Sequence, residues 1–142
     1  MAWFPKKRVV VPVDFSDNSF TAVDTAVQLV DDPADVIVVH VLQEISPVEP
    51  GVVWDTVDHE SRIKHATEAL QSQLKDRGHE DVTVDVRIGA AAHEIIELAD
   101  HEQAELIVLT SHGRTGLQHL LIGSVAERVT RLAHCPVLIL RR

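Results

Sequence analysis

The sequence has little cysteine and comparatively little positive charge. Its single cysteine, Cys135, excludes an intrachain disulfide. The 13 lysines and arginines are outnumbered by 22 acidic residues, which gives a formal net charge of −9. Because nucleic-acid binding requires clustered cations against phosphate, this balance argues against a general affinity for nucleic acid. Any anion that the protein binds must therefore be held by local donors.

Long apolar runs are absent as well. None approaches the roughly 20 residues of a membrane-spanning helix, so no membrane partner is expected. Segment 1–8 places its charged residues after its apolar ones, unlike a signal peptide, and we expect a cytoplasmic protein. With 142 residues, 45% of them hydrophobic, the chain is expected to form a single domain over 1–142 with a full core.

Apolar residues that are present follow two alternating periodicities. The β-branched runs 8–13 and 36–41 are typical of strands buried on both faces. Segments 106–109 and 136–140 are similar short apolar runs, and 82–88 alternates as a more exposed strand would. Together they predict five strands.

Four helices are predicted between these strands. Ser16 suits the N-cap of the first and Gly78 the C-cap of the second, whereas 43–58, with two prolines and a glycine, predicts a long surface loop. The apolar residues at helical spacing are Phe20, Val23, Val27 and Val30 in the first helix, Ile63, Ala66, Leu70 and Leu74 in the second, Ile95, Ile96 and Ala99 in the third, and Val125, Val129 and Leu132 in the fourth.

This alternation predicts an α/β fold, a single doubly wound parallel sheet of five strands flanked by four helices with right-handed crossovers. The usual strand orders are 3-2-1-4-5 and 2-1-3-4-5. Ligands of such sheets bind beyond the carboxyl ends of the strands, where the winding reverses. The order 3-2-1-4-5 brings Asp14, after strand 1, beside the segment from Thr110 to Gly113, after strand 4. We adopt this Rossmann-like order, because these two strand ends carry the unusual residues.

The segment after strand 4 combines glycines with the start of a helix. Gly113 and Gly116 are followed by Gly123-Ser124, directly before the fourth helix. Glycines let backbone amides approach a ligand closely, and a helix N-terminus offers N–H groups and a positive dipole end, which suits phosphate. An alternative interpretation needs no ligand: Ser124 and Glu127 would form a capping box, and the glycines would be turn residues.

Several runs of the chain resemble the universal stress protein family. They are Gly-Arg-Thr-Gly-Leu, Leu-Ile-Gly-Ser-Val-Ala-Glu-Arg-Val and Cys-Pro-Val-Leu-Ile-Leu within 111–140, Lys-Arg-Val-Val-Val-Pro-Val-Asp-Phe-Ser at 7–16, Ile-Val-Val-His-Val at 37–41, and Gly89 with Glu94-Ile95. These runs occur in the order that the family shows and span residues 7–141. The resemblance therefore covers nearly the whole chain.

The nucleotide-binding branch of that family carries a glycine, two residues, a second glycine, nine residues, and then glycine followed by serine or threonine. In this sequence the second glycine is Gly113 and the final pair is Gly123-Ser124, but the first position holds Thr110. The β-branched side chain of Thr110 would either crowd a nucleotide or offer it a hydroxyl.

What the resemblance implies is a site for ATP, with Mg²⁺ carried on its phosphates. The residues implied at the adenine and ribose end are Pro12, Val13, Asp14 and Val41. Those implied at the phosphate end are Gly113, Gly123, Ser124 and the amide of Val125. Thr110 occupies the position of the first motif glycine, and Arg114 and His112 are further candidates. Asp14 has an alternative role as a helix-start carboxylate. The family commonly dimerises through its last strand, which implies a homodimer through the edge strand from Pro136 to Leu140.

Other chemistries find less support in the sequence. His93-Glu94-Ile95-Ile96-Glu97 lacks the second histidine of a zinc motif, so no metal site of protein ligands is expected. No serine-hydrolase elbow or P-loop occurs. A phospho-acceptor receiver domain would need an aspartate and a lysine where Gly89 and Arg141 stand.

Two functional hypotheses follow. The first is a stress-response or signalling protein that binds ATP with at most weak hydrolysis, since no positioned general base is apparent. The second is a nucleotide-independent homodimeric interaction module, which Thr110 and the apolar edge strand favour.

Overall fold

A computed structural model describes residues 2–44, 55–111 and 123–141, without the side chains of 55–57. Strands and helices alternate along these segments. The elements are β1 (Val9–Pro12), α1 (Asp17–Val27), β2 (Val36–Leu42), α2 (Asp55–Asp76), β3 (Thr83–Ile88), α3 (Ala91–His101), β4 (Leu106–Thr110), α4 (Ser124–Leu132) and β5 (Val137–Leu140), with a 3₁₀ turn at Pro33–Asp35.

All five strands are parallel and lie in the order β3-β2-β1-β4-β5. This confirms the predicted fold class and the order 3-2-1-4-5. The first strand is shorter than the predicted 8–13 by one residue at each end. Arg8 lies outside it because its positive φ of 55° is not a strand conformation, and the strand ends at Pro12, before Val13. The edge strand β3 is more exposed than β1 and the first half of β2, as its alternating sequence predicts.

Two separate apolar clusters cover the two faces of the sheet. On one face Phe20 of α1 and Leu70 and Leu74 of α2 pack with the odd-numbered valines of β1. On the other face Ile95 of α3 and Val129 of α4 pack with Val10 and its neighbours. β1 contributes to both clusters because successive strand residues point to opposite faces. Its continuous run of valines is therefore required by burial on both sides.

Both predicted helix caps are confirmed. The Ser16 hydroxyl accepts a hydrogen bond from the Ser19 amide at 3.2 Å, at the start of α1. Gly78, with φ +81°, follows α2, and there the amide of His79 donates to the Leu74 carbonyl at 2.8 Å. This pattern is a Schellman motif, which needs a left-handed residue and so favours glycine.

The prediction of a surface loop over 43–58 is wrong at its C-terminal end. α2 begins at Asp55, two turns before its first periodic apolar residue, Ile63. Segment 55–62 contains a single valine among polar residues, so it has no apolar stripe to reveal the helix. Extending an existing helix adds one hydrogen bond per residue and needs no such stripe. Residues 45–54 lie outside the described part of the chain.

Within the described ranges no helix is both long and apolar enough to cross a bilayer.

Candidate functional site

A cavity of about 420 Å³ lies at the carboxyl end of the sheet, where β1 and β4 are neighbours. It is lined by residues at the ends of β1, β2 and β4 and by the first turns of α3 and α4. The residues predicted for the site that line it are Pro12, Val13, Asp14, Val41, Thr110, Gly123, Ser124 and Val125. Gly113, Arg114 and His112 lie outside the described residues.

Asp14 lies in the β1–α1 loop and is fixed by hydrogen bonds to the start of α1. Its Oδ1 accepts from the amide of Ser16 at 3.0 Å and from the Ser16 hydroxyl at 2.5 Å. Its own amide donates to the Ser19 hydroxyl at 3.2 Å. Asp14 therefore acts as the helix-start carboxylate of the alternative interpretation, and it also lines the cavity. The two roles are compatible in one residue.

His40, near the end of β2, is a cavity residue that sequence reasoning missed. Its ring Nδ1 lies 2.8 Å from the Val13 carbonyl oxygen, and its ring meets Phe15 edge-to-face at 4.7 Å. It is the one polar residue in the apolar run 36–42, and it occurs close to the strand's carboxyl end. A polar residue at that position could have identified His40 as a cavity residue from the sequence.

The opposite side of the cavity is formed by the end of β4 and the start of α4. Thr110 is the last residue of β4, where it pairs with Leu140. Ser111, which is 7% exposed, donates its amide to the Leu140 carbonyl at 3.0 Å and accepts from the Gly123 amide through its own carbonyl. This last bond places the N-terminus of α4 directly beside the end of β4.

The N-cap of α4 is Gly123, so the capping box of Ser124 and Glu127 that the alternative interpretation requires is not formed. Ser124 is the first helical residue, and among the described residues no side chain makes a capping hydrogen bond to the helix. A capping box needs its glutamate three residues after the cap, and Glu127 lies four after Gly123. The Glu127 carboxylate instead accepts from Arg131 at 2.9 Å, a hydrogen bond that lowers the pKa of Glu127.

The first turn of α4 presents backbone donors to the cavity. The first helical hydrogen bond runs from the Glu127 amide to the Gly123 carbonyl at 2.9 Å, so the amides of 124–126 precede it. Such amides, together with the positive end of the helix dipole, attract anions. Ser124, Val125 and Ala126 all line the cavity. This arrangement can hold a negatively charged group in an acidic protein.

Outside the cavity, the polar side chains in the histidine-containing segment of α3 contact one another and Arg87. His93 Nε2 lies 3.2 Å from Glu97 Oε2, in an exposed pair one helical turn apart, and Glu94 lies 3.6 Å from Arg87. The donor atoms of His93, Glu94 and Glu97 lie within 4.8 Å of one another. These contacts account for the three side chains.

Cys135, before β5, is a half-buried free thiol. Burial, and to a smaller extent the nearby Asp100 carboxylate, raise the pKa of its thiol. A raised pKa lowers the thiolate fraction at neutral pH and so lowers reactivity.

Comparison with known proteins agrees with this architecture. A sequence model described as the universal stress protein family matches residues 6–141. Universal stress protein MJ0531 of Methanocaldococcus jannaschii is 34% identical over 142 residues, which cover 96% of this chain and 82% of that protein. The solved structure of MJ0577, a universal stress protein of the same organism, superposes with a TM-score of 0.75 at 29% identity, over 96% of each chain. A universal stress protein solved in complex with cAMP gives a TM-score of 0.65 at 27% identity, over 96% of this chain and 97% of its own.

Proposed function

The chain belongs to the universal stress protein family, and we propose that it is a member that binds ATP in the cavity between the ends of β1 and β4. The observation that carries this proposal is the start of α4. Its N-cap is a glycine, no side chain occupies the capping position, and its first-turn residues line the cavity. The structural relative solved with cAMP supports an adenine nucleotide as the ligand class.

In this proposal the cavity divides into two ends. Pro12, Val13, Asp14 and Val41 line the end for adenine and ribose. Gly123, Ser124 and the amide of Val125 donate to the phosphates, together with Gly113 and Arg114 from the segment between β4 and α4, and Thr110 offers a hydroxyl beside them. Backbone donors supply this recognition, so a net charge of −9 does not prevent it.

The described residues fit such a ligand in size and chemistry. A volume of about 420 Å³ lies within the range of small-molecule sites. Apolar side chains such as Val41 and Ile95 suit a planar base, and the α4 N-terminus suits an anion. Mg²⁺ would accompany the phosphates.

Binding is the proposed purpose of this site. The donors around the phosphate end would stabilise charge that develops during phosphate cleavage, which supports weak hydrolysis at most. We therefore propose a regulatory role in stress response or signalling in the cytoplasm, in which the nucleotide-bound state is the signal.

Thermal unfolding with and without ATP and magnesium tests the proposal. For a dissociation constant of about 10 μM, millimolar ATP is a hundredfold excess and stabilises the native state by about 2.7 kcal/mol. In a domain of this size that raises Tm by roughly 8–10 °C. AMP, which lacks the outer phosphates, should give a smaller shift, and cAMP tests whether a single cyclised phosphate suffices. Cooperative melting with no ATP-dependent shift would rule the proposal out.

A second candidate function is a nucleotide-independent homodimer that acts as an interaction module. β5 is an edge strand, and its Leu138 is 36% exposed on the face where Leu140 packs. Exposed apolar edge strands pair readily with a second chain. A dimer through the strand from Pro136 to Leu140 would bury this side chain, and it is compatible with nucleotide binding.

The Leu138→Lys variant tests the dimer. Wild-type protein is expected to elute as a dimer in size-exclusion chromatography with light scattering, and Leu138→Lys as a monomer, because the new charge would be buried at the interface. Phe4→Lys introduces the same charge at another exposed apolar residue, before β1, and should remain dimeric. A monomeric wild type at high concentration, or a dimeric Leu138→Lys, would exclude this interface.

A further inference from the structure

We propose that His40 is a positioning residue for the nucleotide cavity, because it contacts both chain neighbours of Asp14 and so fixes the β1–α1 loop. Its ring bonds to the Val13 carbonyl at 2.8 Å and packs edge-to-face on Phe15 at 4.7 Å. The effect on the ligand rests on the proposed function, whereas the effect on the loop can be measured without a ligand.

The conformation of this loop requires support from outside it. Phe15 has φ +68°, a left-handed conformation that is costly for a bulky side chain. Such a conformation persists only when its surroundings fix it. The Phe15 ring makes edge-to-face contacts with the ring of His40, 4.7 Å away, and with the buried ring of Phe20, 6.2 Å away. His40 therefore stabilises a backbone state that the loop sequence alone does not favour.

Hydrogen bonds connect this support to Asp14. The Val13 amide donates to the Val39 carbonyl at 2.8 Å, and the Val13 carbonyl accepts from His40, so β2 holds both polar groups of Val13. Asp14 follows immediately and is bonded to Ser16 and Ser19. Val13 is fixed by β2, and Phe15 packs on the ring of His40. The Asp14 side chain between them is therefore held in one orientation at the cavity.

The partner of His40 also determines its tautomer. A carbonyl oxygen only accepts hydrogen bonds, so Nδ1 must carry a proton. In the neutral ring Nε2 is then unprotonated, and ¹⁵N chemical shifts of the imidazole should show this tautomer. Asparagine places its side-chain NH₂ close to the Nδ1 position and can keep the bond to Val13, whereas leucine cannot.

The experiment compares His40→Leu and His40→Asn by two measurements. One is the dissociation constant for Mg-ATP by calorimetry. The other is amide hydrogen exchange at Ser16, whose N–H bonds to Asp14, without nucleotide. We expect His40→Leu to weaken ATP binding about tenfold, in line with one lost hydrogen bond, and to accelerate exchange at Ser16, with both effects largely reversed in His40→Asn. His79→Leu is the matched control, because His79 also makes a tertiary contact, to Asp24, but lies outside the cavity lining.

Each outcome decides between the proposals. Unchanged exchange at Ser16 in folded His40→Leu would overturn the positioning role, as would ATP binding equal to wild type. If wild-type protein does not bind ATP, the proposed function fails, and the exchange at Ser16 still decides whether His40 orders the loop. Should His40→Leu not fold, His40→Asn decides: wild-type affinity and exchange support the proposal, and their loss contradicts it.

Discussion

Changing Gly123 to aspartate is expected to abolish nucleotide-dependent stabilisation while leaving the ligand-free protein at least as stable as wild type. Gly123 has φ −62° and ψ 155°, a conformation open to any L-residue, so the change introduces no backbone strain. Aspartate is a favoured N-cap and should stabilise α4 by a few tenths of a kcal/mol relative to glycine. Its carboxylate would also occupy the anion position and repel phosphates. The ATP-dependent gain of about 2.7 kcal/mol at hundredfold excess should therefore disappear.

Ala90→Asp is the matched control for this prediction. Ala90 is the N-cap of α3, and it too has no side-chain capping bond. The substitution adds the same charge at a second uncapped helix N-terminus, next to the cavity-lining Ala91 but not at the helix that the proposal assigns to the phosphates. It should stabilise by about 1 kcal/mol and preserve most of the ATP-dependent rise in Tm. Loss of that rise in both variants would indicate a general effect of charge. Its retention in Gly123→Asp would contradict a phosphate site at α4.

Of the substitutions described here, Phe20→Ala is expected to lower the free energy of unfolding most. Phe20 is fully buried beneath β1, with Phe15 beside it and the Arg77 guanidinium 4.5 Å above its ring. Truncation of a buried phenylalanine costs about 3–5 kcal/mol through lost burial and the remaining cavity. At about 3 °C per kcal/mol, Tm should fall by roughly 10–15 °C.

Calorimetry or circular dichroism measures this change, with Phe4→Ala as the control. Phe4 is 41% exposed and should lose less than about 1 kcal/mol. Similar losses in the two variants would contradict the assignment of Phe20 to the core.

The fold could be predicted because burial on both faces leaves a distinct sequence pattern. A central strand such as β1 must be apolar at every position, and its run of valines stands out from the helical spacing around it. The first two turns of α2 could not be predicted in this way. Their polar residues have no apolar stripe, and a tertiary contact, from the Arg62 guanidinium to the Gln43 carbonyl at 2.7 Å, helps to fix that part of the helix.

Cavity residues at strand ends, or just after them, could be predicted for a similar reason. Pro12, Asp14 and Thr110 stand at carboxyl ends, which the strand order brings together. His40 could not, because its role depends on a bond to Val13, 27 positions away in sequence. The capping role of Gly123 was also missed, because a one-residue shift of the helix start changes which residue is the cap.

Gly89 shows that a sequence match can have a direct physical cause. Its φ of +152° disfavours other residues, and a Cβ there would lie 2.9 Å from Glu94 Oε2. The Glu94 carboxylate therefore packs against the space that a side chain would fill. The glycine at position 89 thus reflects a backbone requirement at the end of β3, because the flexible Glu94 side chain could move aside for a Cβ but the φ could not be adopted without strain.

The separation of the core into two clusters has a consequence for slow motions of the molecule. α1 and α2 pack on one face of the sheet and α3 and α4 on the other, so either layer can open locally without exposing the whole of the opposite cluster. The cavity is lined by residues from both layers, Ser19 of α1 and Ala126 of α4 among them. An occupant of the cavity would couple the two layers and slow their separate openings together. Amide protection should then rise in α1 and α4 at once, which makes the bound molecule a crosslink between two helical layers that otherwise meet only through the sheet.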